Sequence, residues 1–356
     1  MSDSAWNGAI ARMRARIDRT ADTVGAGFPH FADPTSGEWT TTPLGDWTGG
    51  YWNGMLWLTA ATTGDRRYVG LAEKWTAPLR ARINSQSSAK GLLFYYGAAL
   101  GAILCGYPMA REMALDGARS LAVMYNPRAG LIPTGADFEE VHSVGATESE
   151  VDVVQIAALL GWAARETGDA RLKEIAISHA RRHMDLCLRD DGSICQSASF
   201  DPQTGALVRR YTHKGLTDES TWARAQAWGM LGWALAAHWT GEAKFLETAK
   251  RCAEWWLDNV PGDLVAFWDF DDPAIPNTNR DTSATAIAAA MLKIAAMESM
   301  EPLKVLYYDA AESTAKALID RYLTAEGVLT EGSYNKRIGL AVKNELIWGS
   351  YYLYET

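Results

Sequence analysis

Cysteine is scarce in this chain of 356 residues, and its four cysteines (Cys105, Cys187, Cys195 and Cys252) show no CxxC spacing. Four thiols are too few for a disulfide framework in a protein of this length, so we expect them to be reduced and mostly buried. Basic residues are also in deficit, since 34 Lys and Arg stand against 43 Asp and Glu, a formal charge of -9. Because binding to a phosphate backbone depends on basic patches, this balance argues against a nucleic-acid partner.

Long apolar runs and common catalytic motifs are missing as well. The longest apolar runs, residues 97–105 and 286–292, fall well short of the roughly 20 residues that a membrane span requires, so we expect no membrane partner. The N-terminus leads into a charged amphipathic pattern over residues 10–17 without the apolar region of a signal peptide, which predicts a cytoplasmic location. There is no GxSxG, HExxH or P-loop motif, and the six histidines lack metal-ligand spacing, so the sequence predicts no cofactor and no metal.

What the chain does have is aromatic rings with polar atoms: 15 Trp and 14 Tyr beside only 8 Phe. Such rings pair an apolar face with a polar atom, which suits them to sugar rings, although packing between helices would explain many of them equally well. Hydrophobic residues make up 48% of the chain and charged residues 22%. This composition is typical of a globular protein with a sizeable core.

One sequence motif recurs along the chain: an apolar helix that ends in Thr-Gly-acid, followed by a more charged amphipathic helix. Clear copies of the Thr-Gly-acid motif lie at residues 63–65, 167–169 and 240–242. The Gly suits a helix C-cap with positive φ, and the acid suits the start of the next helix. Weaker copies of this helical hairpin fill the rest of the chain, and a helix near residues 4–22 can serve as the missing partner of the last one. The count is then six inner and six outer helices. The sequence therefore predicts an all-α fold, an (α/α)6 barrel forming a single domain over residues 1–356, with the N-terminal helix closing the ring.

Long polar segments separate the helical hairpins, and each precedes an inner helix: residues 28–48, 126–148, 189–218 and 259–281. Connections of this length are uncommon in compact domains unless they carry function. We therefore expect them to gather at one end of the ring and to wall a central cleft. Trp47, Trp52 and Trp268 recur at that end and are candidates to line a saccharide site.

The densest group of carboxylates, Glu148, Glu150 and Asp152, lies at the predicted start of one inner helix. Helix-capping charge accounts for Glu148 and Glu150. Asp152 adjoins an apolar run instead, where desolvation would raise its pKa as a general acid near neutral pH requires. We interpret Asp152 as the catalytic residue. Glu148 is a candidate second carboxylate, because a spacing of four places it on the same helical face as Asp152.

A second cluster over residues 218–228 begins another inner helix. Arg224 and Trp228 are four residues apart and share a face, so they offer a carboxylate clamp beside a stacking surface for an acidic sugar. The alternative is that Arg224 pairs with an acid at position 218 or 219. His213 and Lys214 lie just upstream in the same loop.

Taken in order, the motifs of this chain resemble those of glycoside hydrolase family 88. They comprise residues 52–57, Asp152 ahead of residues 167–169, and residues 190–193, 200–205, 222–228, 280–284 and 344–351. The resemblance implies an (α/α)6 barrel and an unsaturated glucuronyl hydrolase, which acts on oligosaccharides with a 4,5-unsaturated uronic acid at the nonreducing end. It also implies that Asp152 protonates the double bond and activates a water, after which the hydrated ring opens and releases the neighbouring sugar. Positions matching Arg224, Trp228 and His213 belong to the family's substrate site.

The chain departs from the family pattern at three places in the expected cleft. Residues 90–94, Lys-Gly-Leu-Leu-Phe, stand where the family has His-Asp-Leu-Gly-Phe, which removes the second active-site Asp and leaves no acid nearby. At the position of Gln196 the family has a His, and at the position of Lys214 it has a Gln. Because Lys90 and Lys214 are gained, we expect a more positive pocket, suited to a more highly charged substrate.

The leading hypothesis is therefore a glycoside hydrolase, a monomer or homodimer, that acts on a small acidic oligosaccharide with Asp152 as general acid/base. The predicted substrate-binding residues are Arg224, Trp228, His213, Lys214, Lys90, Gln196, Trp52 and Trp47. One alternative is a divergent member that acts on a saturated or more heavily charged uronide, and another is an unsaturated rhamnogalacturonyl hydrolase. Alternatives of another class are a sugar isomerase or epimerase, which would depend on His213, and a noncatalytic saccharide-binding protein.

Overall fold

The computed structural model of this protein describes residues 3–356, and most of them are helical. Its α-helices are α1 (Asp3–Thr23), α2 (Gly49–Thr63), α3 (Arg66–Thr76), α4 (Lys90–Phe94), α5 (Leu100–Cys105), α6 (Pro108–Val123), α7 (Val141–Val144), α8 (Ile156–Thr167), α9 (Ala170–Cys187), α10 (Ala223–Thr240), α11 (Ala243–Asn259), α12 (Thr282–Ala288), α13 (Met291–Met297), α14 (Glu301–Arg321) and α15 (Ile347–Glu355). A π-helical turn, Tyr95–Ala99, joins α4 to α5, and a 3-10 helix, Val151–Gln155, leads into α8.

The inner helices form a closed ring in the order α2, α4–α5, α8, α10, α12–α13 and α15, and α15 packs back against α2. Around them lie the outer helices α3, α6, α9, α11 and α14, each following its inner partner in the chain, while α1 covers α15 and α2. The predicted (α/α)6 barrel is confirmed.

The Thr-Gly-acid motif connects each of three inner helices to the outer helix that follows it. Its glycine ends α2, α8 and α10 in the left-handed region, with φ of 70°, 75° and 79°. Asp65 and Asp169 then cap the outer helices by accepting the backbone N–H two residues ahead, at 2.8 and 2.9 Å. Glu242, which has a longer side chain, makes no such cap. The shorter acid therefore supplies the cap in two of the three clear copies.

Burial differs between the two rings as the apolar pattern predicts. The inner helix α10 is buried continuously from Ala223 to Ala237, whereas the outer helices α9 and α11 bury one stripe each. None of the four cysteines forms a disulfide, and three of them are buried. Among the described residues, no helix combines the length and the apolar character that crossing a bilayer would need.

Two small antiparallel sheets, which the all-α prediction did not include, lie in the segments that precede inner helices. In one sheet β1 (Phe28–Ala32) lies between β2 (Trp39–Thr42) and β6 (Glu345–Leu346). In the other, β4 (Ser197–Phe200) lies between β3 (Glu148–Glu150) and β5 (Leu207–Tyr211). These strands precede α2, α8, α10 and α15, so the long segments gather at one end of the ring, as expected.

Candidate active site

A pocket lies at the end of the ring that carries the sheets. Its wall combines aromatic and aliphatic side chains with three carboxyl groups and two cations. The lining residues are Trp47, Ala89, Leu92, Phe138, Glu140, Glu150, Asp152, Val153, Lys214, Trp222, Arg224 and Trp228.

Asp152 lies in the 3-10 helix between β3 and α8, at the point where the chain leaves the sheet and enters the ring. Both of its carboxylate oxygens are buried, and neither has a hydrogen-bond partner among the described residues. Burial raises the pKa of Asp152 above its usual value, although the positive charges of Lys214 and His213 oppose that shift. A carboxyl group in this position can hold a proton closer to neutral pH, as a general acid requires.

Glu150 is the last residue of β3 and also reaches the pocket. Its side chain is buried, and Oε2 has no hydrogen-bond partner among the described residues. Burial raises the pKa of Glu150 well above its usual value, and the negative charges of Asp152 and Glu140 raise it further. The pocket therefore contains two adjoining carboxyl groups that both resist ionisation.

Glu148, the candidate second carboxylate, does not line the pocket. The predicted helical face that it would share with Asp152 is wrong, because residues 148–150 are an extended strand and helical geometry begins only at Val151. Oε2 of Glu148 instead accepts a hydrogen bond from the hydroxyl of Tyr211 at 3.4 Å. Glu150, two residues closer to the ring, occupies the place expected of Glu148.

Glu140, in the long segment before β3, is a third pocket acid that the sequence did not predict. One carboxylate oxygen accepts from Nζ of Lys214 at 2.6 Å and from the hydroxyl of Tyr334 at 2.9 Å, and the other lies 3.0 Å from Nε2 of His213. Burial would raise the pKa of Glu140, but Lys214 and His213 outweigh that effect and hold the pKa well below its usual range. The pocket therefore contains acids besides Asp152, although residues 90–94 supply none of them.

Lys214 sits among aromatic rings at the pocket wall. Its ammonium lies 5.2 Å from the ring centre of Tyr334, 5.7 Å from that of Trp222 and 5.8 Å from that of Trp47. These distances are within the range of cation–π attraction. With Glu140 as its ion-pair partner, Lys214 contributes no net positive charge to the pocket.

Arg224 is buried in α10, and its partner is neither of the acids at positions 218 and 219. Nη1 donates to a carboxylate oxygen of Asp281 at 2.7 Å, and the backbone carbonyls of Ser333 and Tyr334 accept two further hydrogen bonds at 2.6 Å. Nε is buried without a partner among the described residues. Since Asp281 and the two carbonyls take up only three of the five N–H groups, Nε is a donor that the described residues leave unpaired. The guanidinium carbon also lies 4.3 Å from the ring centre of Trp222.

Lys90 lies outside the pocket, contrary to the expectation from the sequence. The first turn of α4 presents Ala89 and Leu92 to the pocket, while Nζ of Lys90 donates to the carbonyls of Ile83 and Ser85 at 3.2 and 2.8 Å. The same ammonium donates to the hydroxyl of Ser120 on α6 at 2.8 Å. Burial lowers the pKa of Lys90 to about 8. The predicted gain of positive charge is therefore wrong, since Lys90 does not line the pocket and Lys214 is paired with Glu140.

Trp52 is also outside the pocket wall. It is buried on α2, where its ring packs edge-on against Trp75 with ring centres 5.5 Å apart. Trp268 lies near Lys336 instead, with the ammonium 5.3 Å from its ring centre. Trp47 and Trp228 do line the pocket, and Trp228 lies nearly parallel to Tyr51 at 6.4 Å.

Gln196 and His213 lie behind the wall rather than in it. Oε1 of Gln196 accepts from the hydroxyl of Thr212 at 2.6 Å and from the backbone N–H groups of His213 and Lys214 at 3.2 and 3.1 Å. Nδ1 of His213 lies 3.1 Å from the hydroxyl of Ser197. These contacts fix the loop that delivers Lys214, so both residues are placed to position the site.

One group among the described residues has spacing suited to a metal ion: Glu140, Glu150 and His213, whose ligand atoms lie within 4.8 Å of one another. Lys214 already places an ammonium 2.6 Å from Glu140. A divalent cation there would be repelled by that ammonium. The arrangement is better suited to holding and moving protons than to binding a cation.

No protein-family model matches the chain. An unsaturated glucuronyl hydrolase from Bacillus sp. (strain GL1) is 36% identical over 361 aligned residues, which cover 98% of this chain and 95% of that protein. An unsaturated chondroitin disaccharide hydrolase from Streptococcus pyogenes serotype M1 is 31% identical, covering 87% and 80%.

Solved structures give the same picture. The crystal structure of the Bacillus sp. GL1 unsaturated glucuronyl hydrolase, described as responsible for glycosaminoglycan degradation, matches with a TM-score of 0.91 over 98% of this chain and 95% of that one. An unsaturated glucuronyl hydrolase specific for heparin, 26% identical, also matches with a TM-score of 0.91, over 99% and 96%.

Proposed function

The chain belongs to the unsaturated glucuronyl hydrolase family, glycoside hydrolase family 88, and from this premise we propose that it removes a 4,5-unsaturated uronic acid from the nonreducing end of a small acidic oligosaccharide. The observation that carries this proposal is the Asp152 carboxyl, buried and without a hydrogen-bond partner among the described residues, in a pocket lined by Trp47, Trp222 and Trp228. Aromatic faces are suited to a sugar ring, and an unpartnered buried acid is suited to proton transfer.

Asp152 acts in this proposal as the general acid/base of a hydration. A proton adds to C4 of the C4=C5 bond, and a water oxygen bonds to C5 as that water gives up a proton. The product at C5 is a hemiketal. Its C5–O5 bond breaks to leave a ketone at C5, and the hemiacetal at C1 then expels the neighbouring sugar as an alcohol. No carboxylate attacks C1, so the carboxylate spacing that separates inverting from retaining glycosidases does not apply.

Binding of the uronic acid carboxylate falls to the two pocket cations. Nε of Arg224 is a buried donor without a partner among the described residues, and a charge-assisted hydrogen bond to a carboxylate would satisfy it. The ammonium of Lys214 lies nearby, held by Glu140. Because both pocket cations are already paired, Lys214 with Glu140 and Arg224 with Asp281, we expect a preference for unsaturated rings without sulfate, since a second anionic group would find no unpaired cation in the pocket wall.

An isomerase or epimerase on this barrel receives less support from the geometry. That chemistry would depend on His213, yet His213 does not line the pocket. Both of its ring nitrogens already lie within hydrogen-bond distance of protein groups, Ser197 on one side and Glu140 on the other. A histidine in this position is suited to holding a loop rather than to abstracting a proton from a sugar carbon.

The test compares the wild type with Asp152→Asn on unsaturated disaccharides that lyases release from chondroitin and heparin. We expect the wild type to abolish the ultraviolet absorbance of the double bond and to release the neighbouring sugar, as mass spectrometry would show. Asp152→Asn should lower kcat by roughly 10²–10⁴-fold, because proton transfer by a positioned group contributes about that factor.

Asp190→Asn is the control, because Asp190 is exposed and lies outside the pocket, so it should retain wild-type activity. Turnover of no unsaturated disaccharide, sulfated or unsulfated, would overturn the proposal. Full activity of Asp152→Asn would remove Asp152 from the mechanism. Sugar binding without turnover by the wild type would favour a noncatalytic saccharide-binding protein.

A further inference from the structure

Two carboxyl groups in this molecule stand apart from all the others. In the part of the chain that the structure describes, the buried carboxylate oxygens without a hydrogen-bond partner belong to Glu150 and Asp152 alone. Other buried acids have partners: Arg224 donates to Asp281, and Arg16 donates to Glu345. Leaving a buried charged group unpaired is costly, so a partnerless pair at one site calls for a functional reason.

The part of the pocket wall that comes from the start of α4 contains no acid. It consists of Ala89 and Leu92, which lie on either side of position 91, where the family resemblance places a second Asp. Glu150 brings a carboxyl into the same pocket from β3, which belongs to a different hairpin. A second acid is therefore present, although it comes from another element.

The charges around Glu150 favour a proton on that residue. Facing it are the acids Asp152, Glu140 and Glu139, with the cation Lys214 as the opposing charge, and Nε2 of His213 lies 3.8 Å from its Oε2. Glu140 stays ionised because Lys214 and His213 hold its pKa low. Asp152 has more help in ionising, from Lys214, His213 and Arg224. The surrounding charges therefore favour a proton on Glu150 over one on Asp152.

We propose that Glu150 is a second catalytic carboxyl, which shares one proton with Asp152 and takes over one of the two proton transfers of the hydration. This inference rests on the proposed function. Glu150 delivers its proton to C4 while the Asp152 carboxylate accepts a proton from the water whose oxygen bonds to C5. One water is added and no proton is gained or lost by the pair. Return of the proton from Asp152 to Glu150 restores the starting state.

The experiment measures kcat and KM across pH for the wild type, Glu150→Gln and Asp152→Asn, on whichever unsaturated disaccharide the wild type turns over. Glu150→Gln should lower kcat by roughly 10²–10⁴-fold with a small change in KM, and the residual activity should lose the fall at alkaline pH that loss of an acid's proton causes. Asp152→Asn should instead lose the fall at acidic pH, because its carboxylate acts as the base.

Glu148→Gln is the matched control, since Glu148 is two residues away on the same strand and does not line the pocket. It should keep wild-type kcat and both limbs of the pH profile. Glu150→Asp is the second variant in case Glu150→Gln does not fold, as circular dichroism would show. It should retain the alkaline limb at a reduced kcat.

The outcomes separate the two proposals. If the wild type is active and Glu150→Gln keeps kcat and the alkaline limb, the role of Glu150 is overturned and the proposed function stands. If Glu150→Gln does not fold, a Glu150→Asp enzyme that lacks the alkaline limb would overturn that role instead. If the wild type consumes no unsaturated disaccharide, the proposed function falls and the role of Glu150 falls with it.

Discussion

At the scale of single residues, we expect the buried Glu150 carboxyl to lower the stability of the folded protein at neutral pH. Its pKa is raised in the folded state, whereas in the unfolded chain a Glu titrates at about 4.3. The folded protein therefore holds this proton more tightly, and the stability that the side chain provides is present at low pH and lost as the pH rises above about 4. Ionisable groups at active sites commonly trade stability for activity in this way.

Glu150→Gln removes that pH dependence. We expect the variant to unfold with a free energy close to that of the wild type near pH 4 and to become the more stable protein at higher pH. The gap should widen by up to about 1.4 kcal/mol for each pH unit until the folded-state pKa is reached. Urea unfolding at several pH values measures the gap, with Glu148→Gln as control. Parallel stability curves for the wild type and Glu150→Gln would show that the Glu150 pKa is not raised.

Single residues also show where sequence reasoning reached its limit. Asp152 is predictable because it adjoins an apolar run, and it does line the pocket. The sequence predicts a helix-capping role for Glu150, because nothing local indicates that residues 148–150 pair with a strand about 50 positions away. It also predicts Lys90 as a pocket cation, yet the register of a short helix turns its ammonium toward Ser120. Each error concerns the direction of one side chain, which is set by contacts distant in sequence.

At the scale of elements, two histidines of helix α9 form hydrogen bonds to residues that flank Glu150 and Asp152 in the chain. Nδ1 of His179 accepts the backbone N–H of Ile132 at 3.1 Å, and its Nε2 lies 2.9 Å from the carbonyl of Val153. Nε2 of His183 lies 2.9 Å from the hydroxyl of Ser149. Burial lowers the pKa of His183 to about 4, so this histidine is neutral at physiological pH. The pair fixes the backbone on both sides of Glu150.

Replacing His179 by Ala should therefore destabilise the protein by about 1 to 3 kcal/mol. The change leaves the buried backbone N–H of Ile132 without a partner, and one such group costs about that much, whereas the carbonyl of Val153 still accepts the backbone N–H of Ile156. His142→Ala is the matched control, since His142 is exposed and should change the free energy of unfolding by less than about 0.5 kcal/mol. Urea denaturation measures both. A His179→Ala protein as stable as the control would show that these hydrogen bonds do not hold the segment.

The helical hairpins were the most predictable elements, because their apolar period and Thr-Gly-acid turns are local signals. The six strands have two to five residues each, too few for a period of two to be distinguished from a loop. Their existence depends on partners elsewhere in the chain, such as β1 with β6. The barrel could thus be derived from the sequence, whereas the sheets that shape the mouth of the pocket could not.

At the scale of the whole molecule, one ion pair joins the two ends of the chain. Nε and Nη2 of Arg16 on α1 donate to the same oxygen of Glu345 at 3.0 and 2.7 Å. Glu345 lies in β6, just before the last inner helix, and is only 2% exposed. Burial raises the pKa of Glu345 and Arg16 opposes that shift. Closure of the ring therefore leaves a buried carboxylate that depends on the N-terminal helix.

Arg16→Met should destabilise the fold by about 3 kcal/mol, because removing one partner of a buried pair leaves the other charge uncompensated. The loss should shrink as the pH falls through the pKa of Glu345, since a protonated carboxyl needs no counter-charge. Arg66→Met, at an exposed position on α3, should have little effect. Denaturant unfolding at two pH values measures both variants. A pH-independent loss would assign the effect to packing rather than to charge.

The side chains that line the pocket come from different helical hairpins of the ring. Trp47, Ala89, Glu150 and Lys214 precede or begin four different inner helices, and each is held by the helical hairpin that follows it. One wall can therefore mutate while the others keep their backbone, so an acid lost from one hairpin can be replaced by an acid from its neighbour. In such a ring, the position of a reactive group can move between modules during evolution while the scaffold stays the same.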